Sequence, residues 1–204
     1  MEVRQALADL AEVRGRLATV QRFDGYSGPA AIASGVAAIL AGLVQAVLAP
    51  EPHTAAERQA YLIIWLVCLG VALAINYGAI LVWRTRNRSP QAKIQIRTVG
   101  MSILPAVAAG GVITLGLVLR GLTDLLPAMW CATYALGLFA SRSMVPRDVV
   151  LVAVGFGAIA TVLFLTPNIH PLAWWIMPSA FGLGQIAIGA VVRHDASSER
   201  IDSR

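Results

Sequence analysis

Six uncharged polar side chains stand inside long apolar runs: Gln45, Asn76, Thr114, Thr133, Thr161 and Gln185. A buried amide or hydroxyl needs a partner, and in a membrane its ordinary role is to bond one helix to another, contributing about 0.6–2 kcal/mol. Asn76 precedes Tyr77 and Gly78, and Gln185 follows Gly182 and Gly184. These two have small residues beside them and are the candidates for an intramembrane polar site. No ionisable residue stands near the middle of any run. Charges at such depth are expensive and mark ion paths and proton relays, so the pattern points away from a proton-coupled pump and from an intramembrane metal enzyme.

Between the runs lie His53, His170, Glu51, Glu57 and Asp124, whose imidazole and carboxylate groups suit zinc. Their spacing does not require a metal, so neither metal nor cofactor is expected, and they read as solvated loop residues. Arg120 and Asp124 are expected to pair at a turn. Cys68 and Cys131 are isolated, without a Cys-x-x-Cys, and read as packing residues. No phosphate loop, nucleophile elbow or metalloprotease helix occurs, and no nucleophile with a base can be assembled from the runs. The expectation is therefore that the chain is not an enzyme.

The elements that carry these residues follow from composition. Of 204 residues, 57% are hydrophobic and 13% charged, which leaves too few polar groups to coat a soluble domain of ordinary composition. The apolar residues fall in six blocks, at about 29–49, 61–83, 99–119, 125–141, 149–166 and 172–192. Each approaches the ~20 residues a helix needs to cross the hydrocarbon core. The fold class is an all-α integral membrane protein, a six-helix transmembrane bundle with both termini cytoplasmic.

The basic residues set the orientation. Arg4, Arg14, Arg16, Arg22, Arg84, Arg86, Arg88, Lys93, Arg97, Arg142, Arg147, Arg193, Arg200 and Arg204 fall on one side of the six blocks. Only Arg58 and Arg120, of 16 Lys and Arg in all, fall on the other. Positive charge is retained in short cytoplasmic segments, so the first side is cytoplasmic. The net charge of +5 is thus divided by membrane side rather than gathered in a stripe, which argues against nucleic acid. The dominance of Arg over Lys and the Ala, Gly, Leu and Val content fit a bacterial chromosome rich in G and C, and hence the bacterial cytoplasmic (inner) membrane. Tyr61, Trp65, Trp130, Trp174 and Trp175 are expected in an aromatic belt at the outer ends, with Phe23, Tyr26 and Trp83 at the inner ends.

Residues 1–28 read as a cytoplasmic amphipathic helix and turn, 29–192 as the transmembrane domain and 193–204 as a polar cytoplasmic tail. In residues 1–22, Val3, Leu7, Leu10, Val13, Leu17 and Val20 line one face of a helix with charges elsewhere. Interleaved acids and arginines with no apolar run distinguish this stretch from a secretory signal, so the first span is expected to remain as an uncleaved anchor. The helix lies on the inner membrane surface or docks on a partner or a second copy. Arg84, Arg86, Arg88, Lys93 and Arg97 form a basic loop with no acid, attracted to anionic headgroups or to an acidic partner.

Pro105, Gly111, Gly116 and Arg120 recur at a constant offset as Pro178, Gly184, Gly189 and Arg193, as an inverted repeat would leave them. Pro105, Gly111, Pro178 and Gly184 are the candidate positions at which helices flex. Small residues four apart, as in Ala38 and Gly42, in Ala106, Gly110 and Thr114, and in Ala153, Gly157 and Thr161, mark close helix packing. The leading functional expectation is a non-enzymatic membrane module, an accessory subunit or sensor, acting through a partner at the cytoplasmic face. The alternative is a small channel or transporter for a neutral or weakly polar solute.

Overall fold

The computed structural model describes residues 25–202, and among them the chain is helical with no strand. The helices are α1 (Gly28–Leu48), α2 (Ala55–Arg86), α3 (Pro90–Leu119), α4 (Leu126–Ala140), α5 (Val149–Leu165) and α6 (Leu183–Asp202). A 3₁₀ turn, Thr123–Leu125, leads into α4, and a π-helical turn, Pro178–Gly182, leads into α6. The amphipathic stretch carrying Leu7, Leu10 and Leu17 lies outside the described residues.

Local chemistry sets the helix starts. Ser27 caps α1 by accepting the Ala30 N–H (3.3 Å), with Pro29 in the first turn, where a missing N–H costs nothing. Thr54 and Glu57 form a reciprocal capping box on α2. Ser89 accepts the Ala92 N–H (3.2 Å) at the start of α3. The end of α3 is closed by Gly121 at φ 70°, with Gly121 N–H donating to Val118 and Leu122 N–H donating to Leu117. That pair of bonds is the Schellman motif, and its left-handed residue favours glycine.

α1, α2 and residues Ala92–Leu119 of α3 are each long and apolar enough to cross a membrane. α2 is 32 residues and α3 is 30, or roughly 48 and 45 Å at the rise of an α-helix. Both therefore overrun the ~30 Å hydrocarbon thickness. Helix extends to Arg86 and resumes at Pro90, so the expected basic loop contracts to a tight turn, with Lys93 and Arg97 on α3 itself. α4 and α5, at 15 and 17 residues, are shorter than the runs expected there. α6 continues through Asp202, so helix runs well into the segment expected to be a polar tail.

α1 packs on α2 and α6, α3 on α4, α4 on α5, and α5 on α6. The α1–α6 seam is the closest approach. A Cβ added at Gly28 would stand 2.8 Å from the Gly189 carbonyl oxygen, one at Gly35 2.6 Å from that of Gly182, and one at Gly42 2.0 Å from Pro178 Cγ. Gly28, Gly35 and Gly42 are seven apart, as are Gly182 and Gly189, so the two glycine rows meet along antiparallel helices. Ala106, Gly110 and Thr114 do form the packing face of α3: Gly137 on α4 faces Ala106, and Gly110 faces Thr133. On α5, Ala153 is buried, whereas Gly157 and Thr161 border an open apolar groove.

Among the described residues three buried clusters fill the bundle. At the end bearing the histidines, Tyr61, Trp65, Leu172 and Met177 pack with Ala38. In the middle, Cys131, Phe156, Ala160 and Ala180 are joined by Tyr134 and Phe181. Towards the arginine end, Ala31, Val149 and Ile188 pack with Tyr26. Tyr61 and Trp65 are thus core residues and not belt anchors, because α4 and the segment before the π-turn cover them. Trp174 and Trp175 remain exposed. Much of the outer surface of α2 and α3 is apolar, including Ile63, Val67, Leu104 and Val112, an arrangement that lipid solvates.

Candidate functional site

The intramembrane polar residues are joined into short bridges between elements. Gln45 on α1 is fully buried. Its amide nitrogen donates to the Leu172 carbonyl (2.7 Å) and the Ala49 carbonyl (3.2 Å), while its oxygen accepts the Trp65 indole N–H (2.8 Å). One side chain therefore ties α1, α2 and the segment before the π-turn. Asn76 on α2 donates to Ser34 Oγ on α1 (2.8 Å) and to the Ala72 carbonyl (2.9 Å), and the Ser34 hydroxyl in turn donates to the Ala30 carbonyl (3.0 Å).

Gln185 on α6 donates to the Tyr134 hydroxyl on α4 (2.6 Å), within a cluster in which the rings of Tyr134, Phe156 and Phe181 lie 4.8–5.3 Å apart. Thr114 accepts the Trp130 indole N–H (2.8 Å) across α3 and α4. Thr133 and Thr161 donate to carbonyls of their own helices. Asn76 and Gln185 bond to different helices, and each bond is of the kind that holds a bundle together. Gln45 carries the most complete bridge, although sequence reasoning gave it no special place. Its only signal was an amide four residues short of the Ala49–Pro50 helix end.

At the histidine end, the His53 and His170 rings meet edge to face with centroids 4.8 Å apart. Glu57 accepts the backbone N–H groups of His53 and Thr54, each at 2.9 Å, and these bonds hold its carboxyl below the usual carboxylate range. Asp124 pairs with Arg58 on α2 (3.4 Å), which also donates to Thr123 Oγ1 (3.2 Å). This corrects the expected Arg120–Asp124 pair: the 3₁₀ turn brings Asp124 to the start of α2, and Arg120 is exposed. The five polar residues do not converge: the two histidines share one contact, and Asp124 lies in another with Arg58. Among the described residues no three ligands gather as a metal site. His170 Nδ1, the Tyr61 hydroxyl, Arg58 Nε and Asp124 Oδ1 are buried without a protein partner at this end. Ordered water is the usual partner of such groups.

The candidate flexing positions differ from one another. Pro178 opens a π-helical turn, where the loss of its N–H is absorbed by wider winding, whereas Pro105 lies within an unbroken α-helix. A Cβ at Gly184 would stand 2.6 Å from the Phe156 ring, while Gly111 has open space around it. The repeated residues thus occupy unlike environments. Cys68 and Cys131 are free thiols, one packed against the Tyr61 cluster and the other in the Phe156 cluster. The apolar groove between α4 and α5, about 370 Å³, is lined by Ala132, Ala135, Phe139, Ala153, Gly157 and Phe164 among others.

At the arginine end, Arg84 and Arg86 occupy the last turn of α2, where cations complement the helix dipole. Arg88 lies in the turn, and Lys93 and Arg97 follow on α3. All five are exposed. Compared with family models, with characterised proteins and with solved structures, the chain has no match.

Proposed function

We propose that the chain is a six-pass bundle of the bacterial cytoplasmic membrane with both termini inside, and that it is a non-enzymatic accessory subunit or sensor working through its cytoplasmic face. The observation that carries this reading is where the polar chemistry is used. Gln45, Asn76, Thr114 and Gln185 spend their bonds between helices, while Arg84, Arg86, Arg88, Lys93 and Arg97 are exposed and have no carboxylate partner among the described residues; the proposed contact with a partner uses these cations and the amphipathic pattern of residues 1–22. The six-pass count is supported by the apolar α4 and α5, and by a charge alternation that one helix more or fewer disrupts.

Two experiments test the proposal. Single cysteines placed at Asn87 and Ser143 should be labelled from the cytoplasm and those at Glu51 and Asn168 from outside, in a Cys68→Ser/Cys131→Ser background. Any other pattern removes the six-pass reading. Deleting residues 1–22 should abolish association with the partner while leaving insertion intact, and unchanged association sinks the partner reading. The alternative, a conduit for a neutral or weakly polar solute, draws on the π-turn at Pro178–Gly182 beside Gln185. It requires solute flux in reconstituted vesicles that falls with Gln185→Ala.

A further inference from the structure

We infer that the turn joining α2 to α3 is a phosphate-binding site. A cavity of about 410 Å³ opens there, lined by Arg84, Asn87, Arg88, Ser89, Lys93 and the buried Ala92. Arg84, Arg88 and Lys93 bring three positive charges to one concavity. Among the described residues none of them has a carboxylate partner, and the chain from Gln59 to Thr123 contains no Asp or Glu. Cations that line one concavity without a carboxylate among the described residues give it a positive potential, which an anion seated there would neutralise. Arginine offers planar paired N–H donors that match phosphate oxygens, and lysine adds a point charge.

The backbone adds to the same field. The cavity lies at the N-terminus of the 30-residue α3, whose aligned peptides place roughly half a positive charge at that end. Ser89 satisfies the Ala92 amide and Pro90 has no N–H to offer. Two sources carry phosphate chemistry: a lipid headgroup of the phosphatidic acid type and a free phosphate. The lipid source rests on the proposed placement of this turn at the cytoplasmic membrane surface; the phosphate chemistry itself does not.

The test uses the full chain in nanodiscs. Native mass spectrometry would read retention of phosphatidic acid from discs that also contain phosphatidylcholine, with inorganic phosphate added as competitor. Arg84→Gln/Arg88→Gln removes two cations from the cavity, and Arg86→Gln/Arg97→Gln removes two from outside it at equal cost in net charge. The site predicts that the first pair weakens retention by about tenfold or more and that the second changes it less than about twofold. Displacement of the lipid by inorganic phosphate at millimolar concentration identifies a free phosphate as the ligand, and retention against phosphate identifies the lipid headgroup. Equal loss in the two pairs, or no retention by the unaltered chain, overturns the site. Labelling of Asn87→Cys from outside would instead remove the membrane orientation while leaving the binding result standing.

Discussion

Replacing Gly35 with alanine adds one methyl group to the tightest seam of the bundle. The new Cβ would stand 2.6 Å from the Gly182 carbonyl oxygen, 2.8 Å from Ile186 Cγ1 and 3.0 Å from Ile186 N. Two of these three atoms are backbone, so rotating a side chain cannot relieve the overlap and α1 must move away from α6. A gap of about 0.5–1 Å already forfeits a quarter to a half of a dispersion contact, and the same shift loosens Gly28 against Gly189. Overpacking of this kind costs about 1–3 kcal/mol. Alanine also favours helix over glycine by up to about 1 kcal/mol, which opposes the effect.

Gly70→Ala on α2 isolates that opposing contribution, because nothing lies within 4 Å of its added Cβ. The difference between the two variants should therefore be about 1–3 kcal/mol, with Gly35→Ala the less stable. Unfolding of the purified chain in mixed micelles, followed by helical circular dichroism against rising denaturing detergent, measures it. Equal midpoints for Gly35→Ala and Gly70→Ala would refute the argument that this seam depends on backbone approach.

Gln45→Leu should destabilise by about 2–4 kcal/mol, because it leaves the Trp65 indole N–H and the Leu172 carbonyl buried without partners; an unchanged unfolding midpoint contradicts the bridge. Asp124→Asn should cost no more than about 1 kcal/mol, since the Arg58 and Asp124 side chains are 31% and 45% exposed; a larger loss in the same assay would show a network beyond this pair. The Glu57 carboxyl is held low by the His53 and Thr54 amides, so its contribution is present above the usual carboxylate range and lost as pH falls through its lowered folded value. Hydrogen exchange at the first turn of α2 should accelerate, after correction for intrinsic rates, on that acid limb in the native chain. In Glu57→Gln it should not show the transition, and a persisting transition contradicts the assignment.

The helices themselves were legible because apolar runs punctuated by Pro, Gly and charge mark their approximate extents. Their facing sides were not. In lipid, a helix is apolar on its buried side and on its outer side alike, so periodicity carries little information about which residues meet. That is why Tyr61 and Trp65 looked like belt residues although α4 and Leu172 cover them. The glycine rows illustrate the same point: Ala38 and Gly42 were visible as a four-residue step, but the seven-residue rows matter only once α1 and α6 are known to be neighbours. The Asp124 pairing depended on a three-residue 3₁₀ turn whose geometry no run of residues specifies. Asn76 and Gln185 stand out in the sequence as polar groups within apolar runs; both are half-buried, and their partners, Ser34 and Tyr134, follow only from the packing.

We propose that this bundle serves a partner at its cytoplasmic face. Gentle extraction from the native membrane followed by native mass spectrometry tests it most directly. A stable additional protein mass that disappears when residues 1–22 are deleted is the expected result. A lone chain or homo-oligomer that retains a small neutral solute would contradict it and favour the conduit.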